Sequence, residues 1–120
     1  MIQLTDLLKE GKTPITVFRI ENSEGLGPFR EEVAELIKNK NIDDYKIYKQ
    51  IYNRISKKHA AVIVNVPKGY VFGYESLSQL KNWFDTADLA LLKKYGFNVK
   101  KYNNIKKYYD IMDRELIFKK

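Results

Sequence analysis

The helical stretches of this chain come in adjacent pairs, and that spacing decides its class. Residues 15–20, ITVFRI, carry β-branched side chains at 15, 16, 17 and 20 and read as a strand. Two helical stretches follow it. Residues 60–66, AAVIVNV, and 70–74, YVFGY, then read as strands, with Pro67-Lys68-Gly69 as the turn of a hairpin. Two more helical stretches come next, followed by a strand at 97–102, FNVKKY, and a closing strand at 114–118, RELIF. A short helix over Thr5–Gly11 precedes them all. The order is α-β-α-α-β-β-α-α-β-β. A doubly wound parallel sheet needs regular strand–helix crossovers, and the central and terminal strand pairs break that rhythm. The expected fold is α+β: one compact domain over 1–120, with a mainly antiparallel sheet and four to five helices. A chain of 120 residues suits one core.

Local punctuation sets the boundaries. Pro14 suits the start of the first strand. Residues 21–27 form a loop, and Pro28 is placed to open the next helix, with Glu31 and Glu32 at its positive end. Phe29, Val33, Leu36 and Ile37 share one face of it. NKNIDD at 39–44 breaks that helix, and Asp43 or Asp44 is placed to cap the following one, which carries a stripe of Tyr45, Tyr48, Tyr52 and Ile55. Such stripes are usually core or half-core. Ser76 with Gln79 three residues on makes a capping-box pattern ahead of Leu77, Leu80, Trp83 and Phe84. A second helix runs from Thr86 to a stop at Gly96. Residues 103–113 read as a long turn or an irregular strand.

The chain holds no cysteine and a single histidine, His59. Disulfides, thiolate catalysis, cysteine-based zinc sites and histidine clusters are therefore excluded, and no metal site is expected. No stretch is long and apolar enough for a membrane span, and no secretory signal is read at the start, so the expected setting is the host cytoplasm. The net charge is +7, and the excess is concentrated late: residues 61–120 hold 11 Lys/Arg against 6 Asp/Glu. A basic surface draws anionic partners, although lysine also serves plain solubility.

Gly25-Leu26-Gly27-Pro28 invites a phosphate-loop reading, but the lysine of an ATP loop and the third glycine of a dinucleotide loop are missing. Glu21 and Glu24 would repel a phosphate. The stretch reads as a stiff corner, with Arg30 nearby as an anion contact. Arg19 stands in the first strand between Phe18 and Ile20, on the face opposite theirs; there it is either a solvated charge or a bidentate clamp for phosphate or carboxylate. Glu115, in the last strand, reads as a general base, an electrostatic stabiliser or an edge-strand charge. Ser76 reads first as a cap. Lys100, Lys101, Tyr102, Lys106, Lys107, Tyr108 and Tyr109 interleave rings with cations, the chain's best nucleic-acid signature.

FRIEN at 18–22, GLGPF at 25–29 and FGYESLSQLKNWF at 72–84 resemble small uncharacterised accessory proteins encoded by phages and prophages. The resemblance spans much of 18–118. It implies a protein that binds and inhibits or modulates a host defence protein or ribonucleoprotein, in the anti-CRISPR-like class, without turnover. Arg19, Ser76 and Glu115 are also similar in order to the site residues of the ADP-ribosyltransferase fold. That second resemblance implies NAD as cofactor: Arg19 would hold its phosphate or ribose, Glu115 would stabilise the cationic sugar and Ser76 would support the site. Ser76 follows its strand rather than sitting in a serine-threonine-serine strand motif, and the chain is short for that fold, so the pattern is incomplete. Nucleic-acid binding is the third reading.

Overall fold

The structure, a computed structural model, describes residues 13–60, 66, 68–112 and 115–120. The expected helix over 5–11 lies outside them. So does the expected strand over 60–66, apart from Ala60, which ends a helix, and Val66.

Strand β1 (Ile15–Glu21) leads to α1 (Glu31–Lys40) and α2 (Ile42–Ala60). Then come β2 (Tyr70–Tyr74), α3 (Leu77–Trp83), α4 (Thr86–Lys94), β3 (Asn98–Ile105), β4 (Tyr108–Met112) and β5 (Glu115–Lys119). The sheet order is β3-β1-β2-β5-β4, and all neighbours are antiparallel. The expected α+β domain with an antiparallel sheet is what forms, with four helices among the described residues.

The two edges of this sheet belong to β3 and β4, yet only Lys106 and Lys107 lie between those strands. In a flat sheet, edges four strand spacings apart would stand about 19 Å from each other. Three peptide steps span at most about 11 Å. The sheet is therefore rolled, and its edges converge where β3 passes into β4. Asn104, at φ 58, helps turn the chain there; asparagine tolerates this left-handed conformation.

Rolling gives the sheet a buried core on each face, although most of β3 stays exposed. Inside lie Val17, Ile105, Tyr108, Leu116 and Phe118. Outside, Ile20 and Tyr74 pack with Val33, Ile37, Tyr48, Ile51, Leu80, Trp83 and Leu92 of the helices. β1 alternates between the two cores, as the period of a strand requires.

Several boundaries differ from those expected. Helix α1 starts at Glu31 rather than Pro28, because Arg30 is extended (φ −122, ψ 151) and stands as its N-cap; the Pro28 carbonyl before it accepts the Tyr48 hydroxyl at 2.9 Å. The break before α2 is one residue, Asn41. Its side chain accepts from the backbone N–H groups of Asp43 (3.0 Å) and Asp44 (3.1 Å), so the cap is Asn41, not an aspartate. Leu36 and Leu77 are exposed: Val33 and Ile37 carry the buried face of α1, and Leu80 and Trp83 that of α3. Ser76 caps α3 as expected, its Oγ accepting from Gln79 N at 3.1 Å. Asp85 and Asp88 form a full capping box on α4, and Arg54 of α2 binds both Asp88 and the Trp83 carbonyl, tying three helices together.

The loop 22–27 is the stiff corner the glycines suggest. Asn22 Oδ1 accepts from Glu24 N and Leu26 N, and Gly25 takes φ 80.

Candidate functional site

At one end of the roll a single carboxylate gathers three cations. Glu21, the last residue of β1, is 3% exposed. Its Oε2 accepts from Arg19 Nε at 3.1 Å and from Lys120 Nζ at 3.0 Å. Its Oε1 faces Lys100 Nζ at 3.6 Å and accepts the Tyr102 hydroxyl. The register explains the meeting: Arg19 pairs with Lys100 and Val17 with Tyr102 across β1–β3, so all four stem from the inner face, and the Arg19 guanidinium reaches from there into the β1–β2 seam, where it bonds the Phe72 carbonyl. Tyr70 opposite Lys119 brings the end of β5 to the same rim. Three cations against one carboxylate leave an excess of two positive charges.

Beside this cluster lies a concavity of about 450 Å³, lined by Tyr102, Asn103, Asn104, Ile105, Lys106, Lys107, Lys119 and Lys120. Lys119 N donates to the Lys107 carbonyl at 3.0 Å, which locks the two lysine pairs side by side. The surface this makes is strongly cationic and shallow. It suits an extended anion better than an enclosed small molecule.

Burial pushes the Glu21 carboxyl up, but hydrogen bonds from Tyr102 and Lys120 and the charges of Lys120 and Arg19 outweigh it. Its pKa lies below the ordinary 4.5. Burial and the bond to Glu21 push the Tyr102 hydroxyl up to about 12. Because the folded pKa of Glu21 is depressed, its contribution to stability is full above the unfolded value and is lost as pH falls through the folded value. Glu21→Gln is expected to flatten the loss of stability between about pH 5 and pH 3, measured by urea unfolding at each pH. An unchanged acid slope would remove Glu21 from the cluster's energetics.

The residues singled out from sequence divide. Lys100, Tyr102, Lys106 and Lys107 converge here. Lys101 pairs with Phe18 and points to the opposite face. Tyr108 is not a free ring: it is buried, and its hydroxyl donates to the Thr13 carbonyl at 2.7 Å. Tyr109 packs on Tyr70 with ring centroids 5.6 Å apart. The Tyr102 ring lies beneath the ammoniums of Lys100 and Lys120. Arg30 sits on the helical side, bonded to Glu32. Glu21, Lys119 and Lys120 were not among the expected site residues. Glu21 read as a loop charge, yet it ends the strand two residues from Arg19, a same-face spacing that pointed to their pairing.

Arg19, Ser76 and Glu115 do not form one site. Ser76 is spent on its cap. Glu115 is fully buried and accepts the Tyr74 hydroxyl at 2.8 Å, which with burial holds that phenol well above 10. It is no edge charge, because β5 lies between β2 and β4. Arg19 and Glu115 both line a void of about 60 Å³, well below the roughly 300–1,000 Å³ of small-molecule sites.

Among the described residues no group of three or more histidine, cysteine or acidic side chains is placed to hold a metal ion, and no helix is long and apolar enough to cross a membrane. What fold and surface define is a small basic α+β domain: a rolled antiparallel sheet, helices on its outer face and a lysine-lined mouth. The chain belongs to the Bacteriophage T4 Y00F protein family, whose model matches residues 12–120. The phage resemblance read from the sequence is thereby established over nearly the whole chain, while no comparison links it to an ADP-ribosyltransferase. No curated protein and no solved structure matches it.

Proposed function

We propose that this phage-family protein works by binding, seating its lysine-lined concavity on an anionic surface of a host protein or ribonucleoprotein and so blocking or modulating a host defence. The observation that carries this reading is the convergence of Lys106, Lys107, Lys119 and Lys120 on one concavity whose neighbouring carboxylate, Glu21, is already shared by three cations. A surface with uncompensated charge steers anionic partners and sets their orientation. The internal engagement of the Tyr102, Tyr108 and Tyr109 rings favours a protein or ribonucleoprotein partner over bases stacked on those rings.

Capture from host lysate on immobilised protein, with and without nuclease, tests it. The expected result is one specific band that survives nuclease and weakens steeply as salt rises. Recovery that depends wholly on nucleic acid would replace this reading with plain nucleic-acid binding. Capture of nothing above a charge-matched control would overturn both.

A further inference from the structure

Arg19 is nine-tenths buried, yet one of its three guanidinium nitrogens is uncommitted. Nε bonds Glu21, and Nη1 takes the Phe72 carbonyl at 2.9 Å. The β1–β2 ladder is short, with Phe18 opposite Tyr74, and Arg19 fills the seam beside that pair. Nη2 makes no hydrogen bond among the described residues. No fully buried side-chain nitrogen or oxygen among them lacks a partner, so Nη2 opens onto a void rather than onto packed protein.

That void is a cavity of about 300 Å³ between the sheet and α2. Gly27 keeps it open. A Cβ there would stand 3.2 Å from Nη2, and the Gly27 backbone is not in the left-handed region that demands glycine. The walls are mostly apolar, with three rings among them: Phe29, Tyr52, Ile55 and Phe72, joined by Ser56. Arg30 supplies a second guanidinium at the rim. The cavity adjoins a neighbour of about 310 Å³ that shares Phe29, Arg30 and Tyr52 and adds both Lys49 and Glu31. Each lobe has the scale of a small-molecule site, with aromatic walls and a few convergent polar groups.

A guanidinium nitrogen left unbonded in a half-enclosed cleft selects an anionic oxygen, and aromatic walls select a planar ring. We infer that this cleft binds a nucleoside monophosphate, with its phosphate on Arg19 Nη2 and Arg30 and its base against Phe29 and Tyr52. Glu115 does not line this cleft: it lines the adjoining void of about 60 Å³, which shares Arg19, Phe29, Ile55 and Phe72 with it, and accepts the Tyr74 hydroxyl there. The cleft shares no lining residue with the lysine-lined mouth, although Glu21 bonds both Arg19 of the cleft and Lys120 of the mouth.

Calorimetric titration tests the inference, using the four common nucleoside 5′-monophosphates, the matching nucleosides and inorganic phosphate. The protein carries Lys106→Glu, Lys107→Glu and Lys119→Glu to silence the mouth. At least one monophosphate is expected to bind saturably with Kd of about 1 mM or tighter, at least about tenfold tighter than its nucleoside or phosphate alone. Gly27→Ala and Tyr52→Ala are each expected to weaken it about tenfold. Tyr52 is 43% exposed, so its variant folds even where Gly27→Ala does not. Absence of heat with every monophosphate overturns the inference. So does inorganic phosphate binding as tightly as the nucleotide, or unchanged affinity in Tyr52→Ala.

Discussion

Gly73→Ala is expected to destabilise the domain by about 2 kcal/mol, although it adds one methyl group. Gly73 lies in β2 on the inner face of the roll. A Cβ at this position would stand 2.4 Å from Val17 Cγ1 and 2.7 Å from Phe118 Cε1. Both neighbours are fully buried, so neither can swing into solvent. Overpacking of this kind costs about 1–3 kcal/mol, and the gain from alanine over glycine in a strand recovers only roughly 0.5–1 kcal/mol of it. The loss is large against the roughly 5–15 kcal/mol that holds a typical domain together. Urea unfolding followed by circular dichroism measures it. Val17→Ala removes the closer obstacle, so the double variant is expected to be more stable than the sum of the two single losses predicts, by about 1 kcal/mol. Strict additivity would mean that Gly73 and Val17 do not meet, and that the roll is not packed as described.

This crowding is also why part of the fold was not legible in the sequence. Elements with local signals were readable: β1 from its β-branched run, α3 from Ser76 and Gln79, and the end of α4 from Gly96, which adopts φ 92. Closure of the sheet has no local signal. It follows from β3 and β4 taking opposite edges while two residues join them, and edge assignment depends on pairings between residues far apart in sequence. A strand with one solvated face would leave Arg19 and Glu21 in water. The roll buries both, and they pair. The same closure turns Glu115 from an expected edge charge into a buried carboxylate, because the edge beyond β5 is taken by β4, whose residues read only as a long turn or an irregular strand. The candidate site was half legible. Lys100, Lys106 and Lys107 stood out by clustering in the sequence. Lys119 and Lys120 join them through the β4–β5 register, with Tyr108 opposite Phe118, which the order of residues does not reveal. The tyrosines misled for a general reason: an aromatic side chain next to lysines serves a core as readily as a base-stacking platform, and Tyr108 serves the core.

Reversing three lysines at the mouth is expected to cost binding on the order of 100-fold while leaving the fold intact. Lys106, Lys107 and Lys119 are exposed and line the concavity. Lys120 is left in place because it holds Glu21 and the Gly25 carbonyl. Lys106→Glu, Lys107→Glu and Lys119→Glu together change the net charge by six, from +7 to +1. Against an anionic partner each reversal exchanges an attraction for a repulsion, at about 1 kcal/mol or more apiece, and the combined loss reaches at least about two orders of magnitude in Kd. A fall in affinity alone would not separate the concavity from overall charge. The matched control is Lys46→Glu, Lys57→Glu and Lys81→Glu, three exposed lysines of α2 and α3 that bring the chain to the same +1. If the concavity is the contact, the control binds within a fewfold of the parent, with a salt dependence close to the parent's. The mouth variant loses both affinity and salt dependence, because the charges that release counterions are gone. Equal losses in the two variants would mean that net charge alone drives capture, and the lysine-lined mouth would cease to be the binding site.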